Sequence, residues 1–129
     1  MKKSGLCLKR PELLSPAGSF EALRAAAAGG ADAVYFGSGR FNARANAKNF
    51  DSGEAVRALS FCKNAGVKAY ITFNTLLYDN ELPTVFEEIQ RLWQYGADAF
   101  IVADLGLIKA VSESLPAATC VLRIWMCPR

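Results

Sequence analysis

Apolar residues in this chain alternate between short continuous runs and stretches where they recur every three or four positions. The continuous runs read as buried strands at residues 12–17, 33–36, 67–73, 99–102 and 120–126. The periodic stretches read as helices between them. In the third helix, Leu82, Val85, Phe86, Ile89, Leu92 and Trp93 fall at i, i+3, i+4, i+7, i+10 and i+11, one apolar face. The second presents Val56, Leu59 and Cys62 at helical intervals, which makes Cys62 a small core residue. The first covers residues 20–28 and the fourth 105–115.

Punctuation supports these boundaries. Ser19 stands as an N-cap with Glu21 in the first turn, and Gly29-Gly30 close the helix. Asp51 and Glu54 have capping-box spacing, and Pro83 suits an early helical turn. One phrase occurs three times: Gly-Ala-Asp-Ala-Val-Tyr-Phe at 30–36, Gly-Val-Lys-Ala-Tyr-Ile-Thr at 66–72 and Gly-Ala-Asp-Ala-Phe-Ile-Val at 96–102. Its glycines lie 36 and 30 residues apart, room for one strand, one helix and two loops. The order βαβαβαβαβ predicts an α/β fold of parallel strands with right-handed crossovers, about four to five units of a TIM-type (β/α) barrel. A doubly wound open sheet is the competing topology.

Barrel enzymes place their chemistry where strands end, so position selects the candidates. Gly18 and Ser19 follow the first strand, where backbone N–H groups at a helix start can hold an anion. A plain N-cap is the alternative. The second strand leads into a long polar loop, 38–52, with Arg40, Arg44 and Lys48, the amides Asn42, Asn46 and Asn49, and two aromatics. Arginine forks bind phosphate or carboxylate, and amides read polar substrates. Arg44 and Asn46 are therefore substrate-binding candidates, against the alternative of a solvated lid. Asn74 and Asp104 follow the third and fourth strands as candidate catalytic residues, and Asn74 is a substrate-binding candidate as well. Their plain alternatives are a loop cap and a helix N-cap.

Composition narrows the chemistry. With 129 residues, 52% of them hydrophobic, the chain is one domain with ample core. No run approaches the roughly 18 apolar residues of a membrane span, and no secretory signal is evident, so a cytoplasmic location is expected. The four cysteines (Cys7, Cys62, Cys120, Cys127) are then not expected to form disulfides. Histidine is absent, which removes Ser-His and Cys-His nucleophile pairs and His-ligated zinc from this stretch. No metal site is expected. Residues 1–50 hold eight Lys/Arg against three Asp/Glu, and residues 51–129 hold seven against nine. The basic first part suits a polyanion such as RNA, with scattered surface lysines as the alternative.

The segments Pro-Glu-Leu-Leu-Ser-Pro-Ala-Gly-Ser-Phe-Glu-Ala-Leu-Arg (11–24), Gly-Ala-Asp-Ala-Val-Tyr-Phe-Gly (30–37), Phe-Asn-Ala-Arg-Ala-Asn-Ala-Lys-Asn-Phe (41–50), Asn-Thr-Leu-Leu-Tyr (74–78) and Asp-Leu-Gly (104–106) occur in family order. Together they resemble the amino-terminal part of the collagenase-like peptidases, family U-32. The resemblance covers residues 11–116. It implies a (β/α) barrel-type domain, peptide hydrolysis of unassigned catalytic type, and no agreed catalytic residues. As the alternative it implies an RNA-modification role, because some members serve in RNA or quinone-ring hydroxylation with a cysteine-held iron–sulfur cluster. No cofactor is expected in this stretch, since the family's cysteine motif lies beyond it.

Three segments are expected: a flexible basic terminus at 1–10, the partial barrel at 11–116, and an atypical tail at 117–129. That tail departs from the family's usual strand and reads as a frameshifted or miscalled end. Open sheet edges imply self-association. The stretch alone is expected to be inactive, with peptide or RNA as the possible substrate and no membrane partner.

Overall fold

The computed structural model describes residues 10–39, 41, 49–115 and 120–121. Nine elements alternate: β1 (Leu14–Pro16), α1 (Phe20–Ala28), β2 (Ala33–Gly37), α2 (Ser52–Ala65), β3 (Lys68–Phe73), α3 (Leu82–Gln94), β4 (Ala99–Val102), α4 (Leu105–Ser114) and β5 (Cys120–Val121). Every strand pair is parallel, and the sheet order is β1-β2-β3-β4-β5. An order that never reverses excludes the doubly wound arrangement for these strands. It is the order of consecutive units in a (β/α) barrel, and among the described residues the sheet is open. The first strand is shorter than the run at 12–17. Of the fifth, Cys120–Val121 pairs with β4, and residues 122–126 lie outside the described residues.

Right-handed crossovers that advance in one direction put every helix on one face of the sheet. Val34 and Phe36 of β2, Ala69, Ile71 and Phe73 of β3, and Phe100 and Val102 of β4 form one cluster with Leu23, Leu59, Ile89, Leu92 and Leu107 of the helices. The inward face of α2 is Ala55, Ala58, Leu59 and Cys62, whereas Val56 is only half-buried. The other face of the sheet carries Tyr35, Tyr70 and Ile101, all half-buried.

The predicted caps form. Ser19 Oγ accepts from the Ala22 N–H at 3.1 Å. Asp51 accepts from the Glu54 N–H at 2.8 Å, and Glu54 accepts from the Asp51 N–H at 3.0 Å, a complete capping box. Helix α3 has no side-chain cap. Its Glu81 carboxylate instead accepts from the Tyr78 N–H at 2.9 Å, and Pro83 needs no partner in the first turn.

The repeated phrase acts at the other end of the strands. Gly30, Gly66 and Gly96 all have positive φ (86°, 69° and 97°), so each turns the chain from helix to strand in a conformation that L side chains resist. The aspartate two residues on brackets the preceding strand. Asp32 accepts from the Leu13 N–H at 2.8 Å and its own N–H donates to the Leu13 carbonyl at 2.9 Å. Asp98 treats Ala69 identically, at 2.8 and 3.0 Å. In the middle copy Lys68 replaces the aspartate and reaches Glu12 at 3.3 Å, beside a 2.6 Å bond from the Tyr70 hydroxyl to the same carboxylate. That bond to the hydroxyl holds Glu12 below the usual carboxylate range, while burial and Glu12 push Tyr70 up to about 12. Because β2 lies between these partners, the link spans it at Ala33, which is fully buried.

Candidate functional site

Parallel strands in register bring the segments after β1, β2, β3 and β4 to one end of the sheet. Gly18 and Ser19, Ser38, Asn74 and Asp104 therefore share that end. Ser19 spends its hydroxyl on capping α1. Asn74 is half-buried immediately after Phe73, the last residue of β3. Arg44 and Asn46 lie outside the described residues, as do Arg40, Asn42 and Lys48.

Asp104 has both carboxylate oxygens engaged. One accepts from the Leu107 N–H at 3.0 Å and caps α4; the other accepts from the Leu77 N–H at 3.1 Å and ties down the β3–α3 connection. A carboxylate used this way orders two loops around a common point. Beside it, Leu76 and Tyr78 (each 78% exposed) and Leu105 (71%) give that end an apolar rim.

Sequence reasoning missed the polar group next to the loop stems. Ser38, buried directly after β2, donates to Glu88 of α3 at 3.0 Å, and Ser52 donates to the same oxygen at 3.2 Å. Arg91 grips Glu88 with two bonds, 2.9 and 2.8 Å, and donates to the Ser52 carbonyl at 3.0 Å and to its hydroxyl. The guanidinium holds the Glu88 carboxyl below its ordinary range against the opposing effect of burial. A hollow of about 380 Å³ lies against this group, lined also by Phe41, Thr84 and Glu87. The Glu88/Arg91 spacing is legible in the sequence as an ordinary helical surface pair. Its partner Ser38, 50 residues away, is not.

Chemically, the described part of the site is equipped to hold and orient. Cys62 is buried in α2, and burial pushes its thiol up to about 11, so it is not an activated nucleophile. Among the described residues no three His, Cys, Asp or Glu side chains converge as metal ligands. No helix among them is long and apolar enough to cross a membrane.

Comparison with known proteins adds the lineage. An uncharacterized protease of Methanocaldococcus jannaschii is 40% identical over 102 residues, 79% of this chain and 25% of that protein. A 23S rRNA 5-hydroxycytidine synthase of Escherichia coli is 42% identical over 100 residues, 78% and 15% of the two chains. The tRNA hydroxylation protein P of Haemophilus influenzae is 36% identical over 107 residues, 83% and 23%. The chain thus spans a quarter or less of the length of these relatives. No solved structure matches it significantly. The family model for peptidase family U32 matches residues 18–123, running past Pro116, where the resemblance was expected to stop, and into β5. With that match covering most of its length, the chain belongs to peptidase family U32.

Proposed function

We propose that this chain supplies part of the substrate-holding end of an RNA-modifying U32 protein, with the β2–α2 loop contacting phosphates. The observation that carries the reading is the loop itself. Arg40, Asn42, Arg44, Asn46 and Lys48 lie in sequence between two stems, at Ser38 and Phe50, that stand at the same end of the sheet as Ser19, Asn74 and Asp104. Cations and amides in that mixture suit a phosphate backbone with exposed polar edges. Relatives named for rRNA and tRNA hydroxylation support the substrate class. In this reading Arg44 and Asn46 bind substrate, Asn74 orients it, Gly18 and Ser19 form the adjoining helix start, and Asp104 keeps the loops in place. The parent scaffold is a (β/α) barrel in the cytoplasm.

Binding of single-stranded RNA, measured against salt, tests this. Three loop cations on phosphates give a slope of log K against log salt of about −2, and Arg44→Ala lowers its magnitude by about 0.7. Absence of RNA affinity, or affinity indifferent to salt, rejects the reading. Peptide hydrolysis is the second reading, favoured by the relative named a protease. Gelatin cleavage by a preparation without RNA affinity supports it instead.

A further inference from the structure

The β2–α2 loop leaves and re-enters the fold through a narrow neck. Ser38 and Phe50 form an isolated parallel bridge, and the Gly39 N–H donates to the Phe50 carbonyl at 3.0 Å. On one side of the neck, Phe50 packs edge-on against Phe36 and Phe20, with ring centroids 4.9 and 5.2 Å away. On the other side stands α3, with the Glu88 carboxylate accepting from Ser38 on the outgoing stem and from Ser52 on the returning one. Arg91 closes the arrangement by holding both Glu88 and the Ser52 carbonyl.

An isolated i,i+3 ion pair on a helix contributes little and engages nothing else. This pair accepts or donates across 36 to 50 residues of sequence and meets both stems. Ser38 is 2% exposed, so its hydroxyl depends on the carboxylate for an acceptor. Packing alone does not require a hydrogen-bond acceptor here, whereas gathering two stems at one point does.

We infer that Glu88 and Arg91 are positioning residues, a clasp on α3 that fastens both stems of the β2–α2 loop and so fixes how the loop meets its ligand. The ligand's identity as RNA rests on the function proposed above; the clasp itself does not. Amide hydrogen exchange and RNA binding on the full chain separate the two. In Glu88→Ala the Gly39 amide exchanges about tenfold faster or more, while the Ile71 and Val102 amides keep their wild-type rates. Glu88→Gln, whose amide oxygen still accepts from two serines, restores Gly39 protection. Affinity for a short single-stranded oligoribonucleotide falls several-fold in Glu88→Ala and recovers in Glu88→Gln.

Where Glu88→Ala does not fold, Arg91→Lys carries the same comparison, because lysine keeps the charge and loses the two-pronged grip. Wild-type exchange at Gly39 in both Glu88→Ala and Arg91→Lys overturns the clasp. A loosened neck with unchanged RNA affinity overturns its positioning role. A wild-type chain without RNA affinity rejects the proposed function, and the exchange rates then decide the clasp alone.

Discussion

Glu88 carries its charge in a half-buried place, and its partners decide what acid does to the fold. The Arg91 guanidinium contributes most to holding its carboxyl down, with Ser38 and Ser52 adding hydrogen bonds and burial opposing them. The folded pKa is therefore lower than the unfolded value of 4.5. Proton binding then favours the unfolded chain as pH falls, so the stabilisation from Glu88 is complete above the unfolded pKa and disappears as pH drops through the folded one. Glu88→Gln removes that dependence. Urea midpoints measured across pH should show wild type ahead of Glu88→Gln near neutrality, with the gap closing in acid below the unfolded pKa. A gap of constant size from neutrality into strong acid would show that the charge contributes nothing linked to protons. Other carboxylates titrate in both proteins, so the difference between the curves isolates this one.

At the scale of elements, the aspartates of the repeated phrase govern strand register. Asp98 satisfies the N–H of Ala69, a residue 1% exposed, so in Asp98→Ala that donor is left without partner or water. The expected cost is about 1–3 kcal/mol in equilibrium urea unfolding. Asp32 makes the same bond to Leu13, which is 54% exposed and reachable by water. Asp32→Ala should cost less, and equal losses at the two sites would contradict the argument. The phrase was legible as a repeat from the residues alone, and its glycines as helix ends. Its aspartates were not legible as brackets, because each acts on a strand roughly 20 to 30 residues earlier. Local signals were read correctly where neighbours decide the outcome: the Asp51/Glu54 box, the Ser19 cap and the stripe of α3. In α2 the structure agrees with the expected stripe at Leu59 and Cys62 and departs from it only at Val56. Hydrophobicity favours Val56, but the face turned to the sheet carries the smaller Ala55 and Ala58. Position after a strand is enough to expect Ser19, Asn74 and Asp104 at one end of the sheet, where the structure has them. That Asp104 divides its oxygens between two loops depends on where Leu77 comes to rest, which no local pattern encodes.

For the whole molecule, the balance lies between a fully buried sheet face and one whose larger side chains are half-buried. The helix side buries its large side chains completely, including Phe73, Phe100, Leu92 and Ile89. The opposite side buries Ala33, Thr72 and Ala99 but leaves the larger Tyr35, Tyr70 and Ile101 half-buried, with the Glu12–Tyr70–Lys68 link beside them. Among the described residues β1 and β5 each pair on one side only. Unpaired parallel edges beside an apolar face favour association with other chains. The two edges are not equivalent, because Pro16 in β1 has no N–H to offer a new strand. Association is therefore expected to involve the half-buried face. Sedimentation velocity over a range of concentrations should show self-association, and Ile101→Lys, which puts a charge on that face, should weaken it by about tenfold or more, since desolvating an unpaired ammonium opposes contact. The substituted side chain points away from the helix-side core, so helical content should be retained. A wild-type chain that stays monomeric at all concentrations and melts in one cooperative step would mean that this face is satisfied within a single chain.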